Sequence, residues 1–565
     1  MNRLPARLAL AGAWLLCAFN VPAQPTPAPA APPPAAAVDP LTEAIRDRVD
    51  HLRYQGDRDV RGERIVLDDI VARYFESQQL RPKWRDPMRL DLLIAALADV
   101  RDDGLDPADY HVESLQSFRS DLRARQTLSY AEQADLELLA TDAMMLALYH
   151  LYLGKVDPEK LSSQWNFAAR PVSLERGFER LTEALESGQI RETFERARPQ
   201  HVWYQRGRER LREYRAIAAA GGWSPLSDGP TMKLGVSDPR VPALRHRLRT
   251  TRDLDGEPAP PSPPYDTAFD TDLEAAVRRF QERHGLTPDG AVGRATRAAL
   301  NVPVAARIDQ IRINLERARW VMHELKGNFV LVDVAGFDVS YFRDDEPVWT
   351  SKVIVGRPYR ETPIFKSLIT YVVFNPTWNI PPTILVRDKL PIIRRDPGYL
   401  LRNNIRVMDA RGREVDPYSV DWSSYGASRL PPYQLVQDPG DDNALGLVKI
   451  MFPNPHMVYL HDTPSKSLFD KDERTFSSGC IRVQKAFELA ELVLDDAQRW
   501  NQETMAEVVA SKETRTVNLA RPVPVLILYW TAQPRPDGQM IFRNDVYGRD
   551  PATLAALDSP FRRVR

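Results

Sequence analysis

Apolar and polar positions change their period along the chain, and each change marks a region. From residue 41 to about 223, Leu and Ala recur at helical spacing, most clearly over 90–100 and 134–153, among many Arg and Glu. This predicts a helical region, with Asp102-Asp103-Gly104-Leu105-Asp106-Pro107 as a helix stop followed by a turn. A compact unit follows at 241–301, where Leu273, Val277 and Phe280 share one helical face and Gly285 is placed as a left-handed stop. Thr287 to Gly290 reads as a turn, and residues 295–300 as a short last helix. Residues 308–325 continue as helix. After Gly327 the period shortens to two over 329–334, 348–355 and 369–374, which predicts strands. Between Trp378 and Asn443 runs a Pro-rich, charged segment too long for a simple connection; such segments are lids, binding elements or disordered chain.

Composition adds order to this map. A chain of 565 residues is long enough for roughly three to four domains. Its 76 Lys and Arg nearly cancel 77 Asp and Glu, so no overall field favours nucleic acid, and none is expected as a partner. Arg3 and Arg7 precede an apolar run at 8–19 and then Val21-Pro22-Ala23, the layout of an export signal cut after Ala23. The run is short for a spanning helix, which makes an uncleaved anchor the weaker reading. Residues 24–40 are mostly Pro and Ala and read as a tether. Cys17 leaves with the signal, so the exported chain keeps Cys480 alone, either for use or as a small buried hydrophobe.

The candidate chemistry gathers around that cysteine. Residues 447–452 and 457–461 form two apolar runs joined by Pro453-Asn454-Pro455-His456, which predicts a hairpin. Alternation places Met457, Tyr459 and His461 on one face, with His456 opposite His461, so the two histidines are a poor metal pair; no metal and no cofactor is expected. Ser477-Ser478-Gly479-Cys480-Ile481-Arg482-Val483 is followed by helical spacing at 487–494, which puts Cys480 at a strand-to-helix junction. There the N–H groups of Gly479 and Cys480 could face a substrate oxygen, and an imidazole within reach could take the thiol proton. A satisfied strand-end histidine remains the alternative for His461.

Two resemblances extend this reading. Ala276-Val277, Phe280-Gln281, His284-Gly285-Leu286, Pro288-Asp289-Gly290, Val292-Gly293, Thr296 and Leu300-Asn301 resemble the three-helix peptidoglycan-binding domain, with a Pro-rich insert at 254–264 as a departure. His461-Asp462-Thr463 with Ser477 to Arg482, Asn375-Pro376-x-Trp378-Asn379-Ile380-Pro381-Pro382 and Asn443-Ala444-Leu445-Gly446 resemble YkuD-type L,D-transpeptidases. Most of that family carries a second His where this chain has Ser478, as in the large Gram-negative YcbB-type subgroup. That subgroup is also matched by Tyr74, Leu80-Arg81-Pro82-x-Trp84, Asp103-Gly104-Leu105, Gly221-Gly222-Trp223, Pro524-Val525 and Tyr529-Trp530-Thr531-Ala532.

The resemblance implies a multidomain α+β chain. Its expected parts are a helical scaffold at 41–235, a peptidoglycan-binding domain at 236–302 and a connecting helix at 303–326. A mostly-β catalytic domain at 327–510 would follow, with a capping insert at 383–443, and then an extension at 511–565 packing on the body. It implies Cys480 as nucleophile, His461 as proton donor and acceptor, the Asp462 backbone as its orienting group and Gly479 in an oxyanion hole. Tyr459, Trp378, Arg482 and Ser478 would meet substrate. It also implies peptidoglycan tetrapeptide stems as donor and acceptor, 3-3 cross-linking through a Cys thioester, a periplasmic location, and other cell-wall synthesis enzymes as candidate partners. Attachment of a lipoprotein, hydrolysis, and a non-catalytic wall-binding scaffold are the competing readings.

Overall fold

A computed structural model of the chain describes residues 39–561, apart from residues 56–57, 126, 163–164, 168–169, 259–265 and 324. The export signal at 1–23, Cys17, nearly all of the tether and most of the Pro-rich insert at 254–264 lie outside the described residues.

The N-terminal region is helical and is built around α1, Tyr130–Leu153. Ser129 starts this helix four residues earlier than its apolar pattern suggests, because a capping box with Glu132 satisfies the first free N–H groups. Being apolar nearly all round, α1 is buried as a core helix despite having the length to cross a membrane. Its few buried acids receive backbone N–H groups: Glu137 accepts from Lys83 and Trp84 at 2.7 and 2.8 Å, and Asp142 from Val66 and Leu67 at 3.1 and 2.8 Å. The Trp84 indole donates to Thr141 at 3.0 Å. The small helical unit contains Val241–Thr250, Thr271–Arg283 and Arg294–Leu300, with Leu273, Val277 and Phe280 fully buried in its core.

The catalytic body is one nine-stranded sheet. Its strands are β1 Phe329–Asp333, β2 Asp338–Arg343, β3 Glu346–Gly356, β4 Phe365–Phe374, β5 Val448–Met451, β6 Leu460–His461, β7 Thr475–Ser477, β8 Ile481–Val483 and β9 Arg515–Leu528. The order is β7-β3-β8-β6-β5-β4-β9-β1-β2, and a further pairing of β2 with β3 curls the sheet onto itself around an apolar interior. Ala486–Leu494 packs against β5, β9 and β4.

Two boundaries differ from expectation. Residues 511–565 are not an extension, because β9 lies inside the sheet, antiparallel to β4 and parallel to β1. Pro522 and Pro524 disguise it: prolines argue against a central strand, and here the register shifts between Asn518 and Val523 to accommodate them. The segment at 378–443 is an ordered small body, with strands Trp378–Asn379, Gln434–Gln437, Ile405–Met408 and Glu414–Val415 side by side over their own core of Leu385, Leu390, Ile393 and Leu400.

A buried ionic knot joins the scaffold to the connecting helix α2, Val304–Val321. Asp103, fully buried, accepts from Arg198 at 2.8 Å, from Arg208 at 2.8 Å and from the Tyr204 hydroxyl at 2.9 Å. Arg319 on α2 donates to the Asp103 carbonyl at 2.7 Å and pairs with Glu316. Gly104 adopts φ +81°, and a Cβ there would come within 3.1 Å of the Arg312 backbone, so the loop reaches α2 only as glycine. Asp103→Ala would strand two buried guanidinium groups and is expected to cost about 3–5 kcal/mol. Urea or thermal unfolding reads this as a lower midpoint; an unchanged midpoint would contradict the knot's role.

Candidate active site

Three short strands bring the candidate residues together. The hairpin pairs Lys449 with His461 and Ile450 with Leu460, and β6 then runs parallel to β8, pairing Leu460 with Ile481 and His461 with Arg482. The Ile481 N–H donates to the Tyr459 carbonyl at 3.1 Å, which extends that register by one step and sets Tyr459 alongside Cys480. Leu460 and Ile481 face the apolar interior. Alternation therefore sends Tyr459, His461, Cys480, Arg482 and Lys449 to the opposite face.

The second strand of the hairpin is shorter than its apolar run. Met457 lies in a left-handed turn with φ +55° and its side chain in solvent, so the alternation that was expected from it begins only at Tyr459. That turn points the Met457 carbonyl at the half-buried thiol, whose S–H donates to it at 3.7 Å.

His461 is buried, and its Nδ1 lies 2.5 Å from the Asp462 carbonyl. A carbonyl only accepts, so Nδ1 carries the hydrogen and Nε2 is left as the basic nitrogen. Burial pulls the imidazole down to about 3, reinforced by Arg482 and opposed by the Asp462 and Leu445 carbonyls. The ring is neutral at working pH. Burial pushes the Cys480 thiol up, while the Tyr459 N–H and hydroxyl, Lys449 and Arg482 pull it back. The Trp378 indole is hydrogen-bonded to the Tyr459 hydroxyl in turn, and Trp378 is itself packed in the core of the capping body. Among the described residues the Arg482 Nε has no hydrogen-bond partner, and the guanidinium lies in the field of the thiol.

Cys480 is held one element earlier than expected, between β7 and β8 rather than at a strand-to-helix junction; the helix begins only at Ala486. Gly479 has φ +116°, a conformation that favours glycine. Its N–H, expected in an oxyanion hole, instead donates to the Ser477 hydroxyl at 3.1 Å, and that hydroxyl donates to the Cys480 carbonyl at 2.5 Å. This small ring turns the Gly479 N–H inward, so Gly479 shapes the loop, and the Cys480 N–H is the donor left for a substrate oxygen. Thr362 bonds the Gly479 carbonyl at 2.9 Å from below.

The exposed Ser478 faces the capping body and not the thiol. Its hydroxyl accepts from Arg360 at 2.8 Å, and the same guanidinium grips Asp388 of the cap at 2.5 and 3.0 Å. Sequence reading missed both Arg360 and Lys449. Lys449 sits in an apolar run, yet its place between Val448 and Ile450 is the outward one, and its pairing partner is His461. The motif asparagines are structural anchors: Asn375 donates to the Val508, Val509 and Glu513 carbonyls, and Asn443 to those of Pro376 and Asp438, fixing both roots of the cap.

Comparison with known families agrees with this layout. Residues 327–523 match the YkuD L,D-transpeptidase catalytic domain, 69–211 a scaffold domain, and 237–300 the family described as "Putative peptidoglycan binding domain". A Haemophilus influenzae protein named "Putative L,D-transpeptidase" is 36% identical over 241 residues, 43% of this chain and 48% of that protein. The chain thus spans about half the length of that relative. A crystal structure of the L,D-transpeptidase from Xylanimonas cellulosilytica is 14% identical and covers 54% of this chain and 100% of its own, at a TM-score of 0.17, which is too low to argue from. By its sequence match and the residues gathered on its sheet, the chain carries an L,D-transpeptidase catalytic domain of the YkuD family, together with a peptidoglycan-binding domain.

Proposed function

We propose that the chain forms 3-3 cross-links in peptidoglycan, taking tetrapeptide stems as donors and acting in the periplasm after its signal is removed. The observation that carries this reading is the single face holding Cys480, Tyr459 and His461, with the His461 Nε2 left basic by the Asp462 carbonyl.

Cys480 attacks the carbonyl of the third stem residue as its proton passes to His461. The bond to the terminal D-Ala breaks, its nitrogen takes that proton, and a thioester remains. The side-chain amine of an acceptor stem then attacks the thioester, giving its proton to His461 and restoring the thiol. The Cys480 N–H meets the oxyanion in both steps. The export-type N-terminus and the match to a peptidoglycan-binding domain support the location and the substrate. Incubation with tetrapeptide muropeptides should release D-Ala and yield 3-3 dimers by mass spectrometry, with neither from Cys480→Ala. Tripeptide alone, or a lipoprotein adduct where one is supplied, would move the assignment to hydrolysis or attachment.

The capping body supports transfer over hydrolysis, since its root residue Trp378 reaches Tyr459 and its Asp388 is tied through Arg360 to Ser478. Closing such a body over the thioester excludes the water that competes with the amine. Arg360→Ala is expected to raise the ratio of tripeptide to dimer severalfold at comparable D-Ala release. An unchanged ratio would remove that role from the cap.

A further inference from the structure

The site contains a cation that the mechanism above does not use. Lys449 is half-buried on β5, and its ammonium lies 3.9 Å from the centroid of the Tyr459 ring. No carboxylate pairs with it among the described residues. The acid nearest in sequence to the site, Asp462, points the other way: it pairs with Lys466 and accepts the Leu447 N–H at 3.1 Å, beneath a Gly446 that leaves no room for a Cβ. A half-buried ammonium without a counter-ion is costly unless an anion meets it at some point in the reaction cycle.

The anion on that face is the thiolate. Lys449 and His461 are register partners, His461 and Arg482 are register partners, and Tyr459 stands alongside Cys480 with its ring beneath the ammonium. The groups facing the thiol are therefore Tyr459 and His461 from β6, Lys449 from β5 and Arg482 from β8. Arg357 lies beyond Arg482, and the Arg360–Asp388 pair approaches from the cap. Burial lowers Lys449, while the field of Cys480 raises it, as expected of a cation paired with that sulfur. Both flanking cations also disfavour an imidazolium at His461.

We propose that Lys449 is a positioning residue for the nucleophile, the counter-ion that holds the Cys480 thiolate once its proton has left. The proposal rests on Cys480 being the nucleophile, but it concerns ionisation of the free thiol and not transfer to any acceptor. Lys449 thereby divides the work of activation: His461 receives the proton, and Lys449 stabilises the charge left on sulfur. Arg482 lies across the site and is free to meet an incoming carboxylate.

The test is the pH dependence of iodoacetamide alkylation at Cys480 in the full chain, read by peptide mass, with thiolate absorbance as a second readout. Removing a cation at this range should raise the thiol midpoint by about one to two pH units, a ten- to hundredfold smaller thiolate fraction near neutrality. Lys449→Met is expected to show that shift, and Lys449→Arg to keep the wild-type midpoint. Should Lys449→Met lose its unfolding transition, Lys449→Gln carries the same comparison with a polar chain of similar reach. A midpoint unchanged or lowered in the uncharged variants overturns the proposal, whatever their muropeptide activity. Conversely, loss of dimer formation in the wild type with the midpoint shift intact would overturn only the cross-linking assignment.

Discussion

The site depends on one pairing, the two-residue strand at Leu460 and His461 running parallel to Ile481 and Arg482. These strands are among the shortest in the sheet, and nothing in their own length would hold them. Leu460 and Ile481 anchor them from the interior, and the β5 and β3 neighbours supply the remaining ladder bonds. Because side chains alternate, burying that apolar pair forces Tyr459, His461, Cys480 and Arg482 to the other face. A slip of one residue would bury the charged set and expose the core, so register and active-site composition are specified together.

Around this pairing the rest of the chain works as bracing. Thr362 holds the nucleophile loop through the Gly479 carbonyl, and Tyr547 bonds both the Thr362 N–H and the Gly356 carbonyl at 3.2 and 2.7 Å, so the C-terminal segment supports the loop from behind. The small helical domain is docked through Arg283, which pairs with Asp253 and bonds the Met540 carbonyl at 3.1 Å, and through Thr287, which donates to Asp472 just before β7. The scaffold is fixed to α2 by the knot at Asp103. Each domain is thereby tied by polar contacts to elements that end near the nucleophile loop.

Much of this was legible in the sequence, and the exceptions have physical causes. The hairpin, the three helices of the small domain and the placement of Tyr459 beside His461 follow from period and turn residues. β9 was not legible as a central strand, since Pro522 and Pro524 are the residues a central strand excludes, and only the observed register shift reconciles them. The Gly479 N–H looked available because sequence cannot show that the Ser477 hydroxyl turns back to take it. Lys449 did leave a signal, a lysine at the outward position of an otherwise apolar strand, but its meaning required knowing that His461 is its partner across the ladder. Arg360 left none, because its two partners come from segments 28 and 118 residues away.

The account centres on a thioester formed at Cys480 on this sheet face, and a carbapenem is its most direct probe, since ring opening by the thiol leaves a stable acyl-enzyme. Intact-mass measurement after incubation should show the chain gaining one drug molecule, mapped by peptide mass to Cys480 and absent from Cys480→Ala. A folded wild-type chain that stays unmodified, or an adduct that persists in Cys480→Ala, would contradict it.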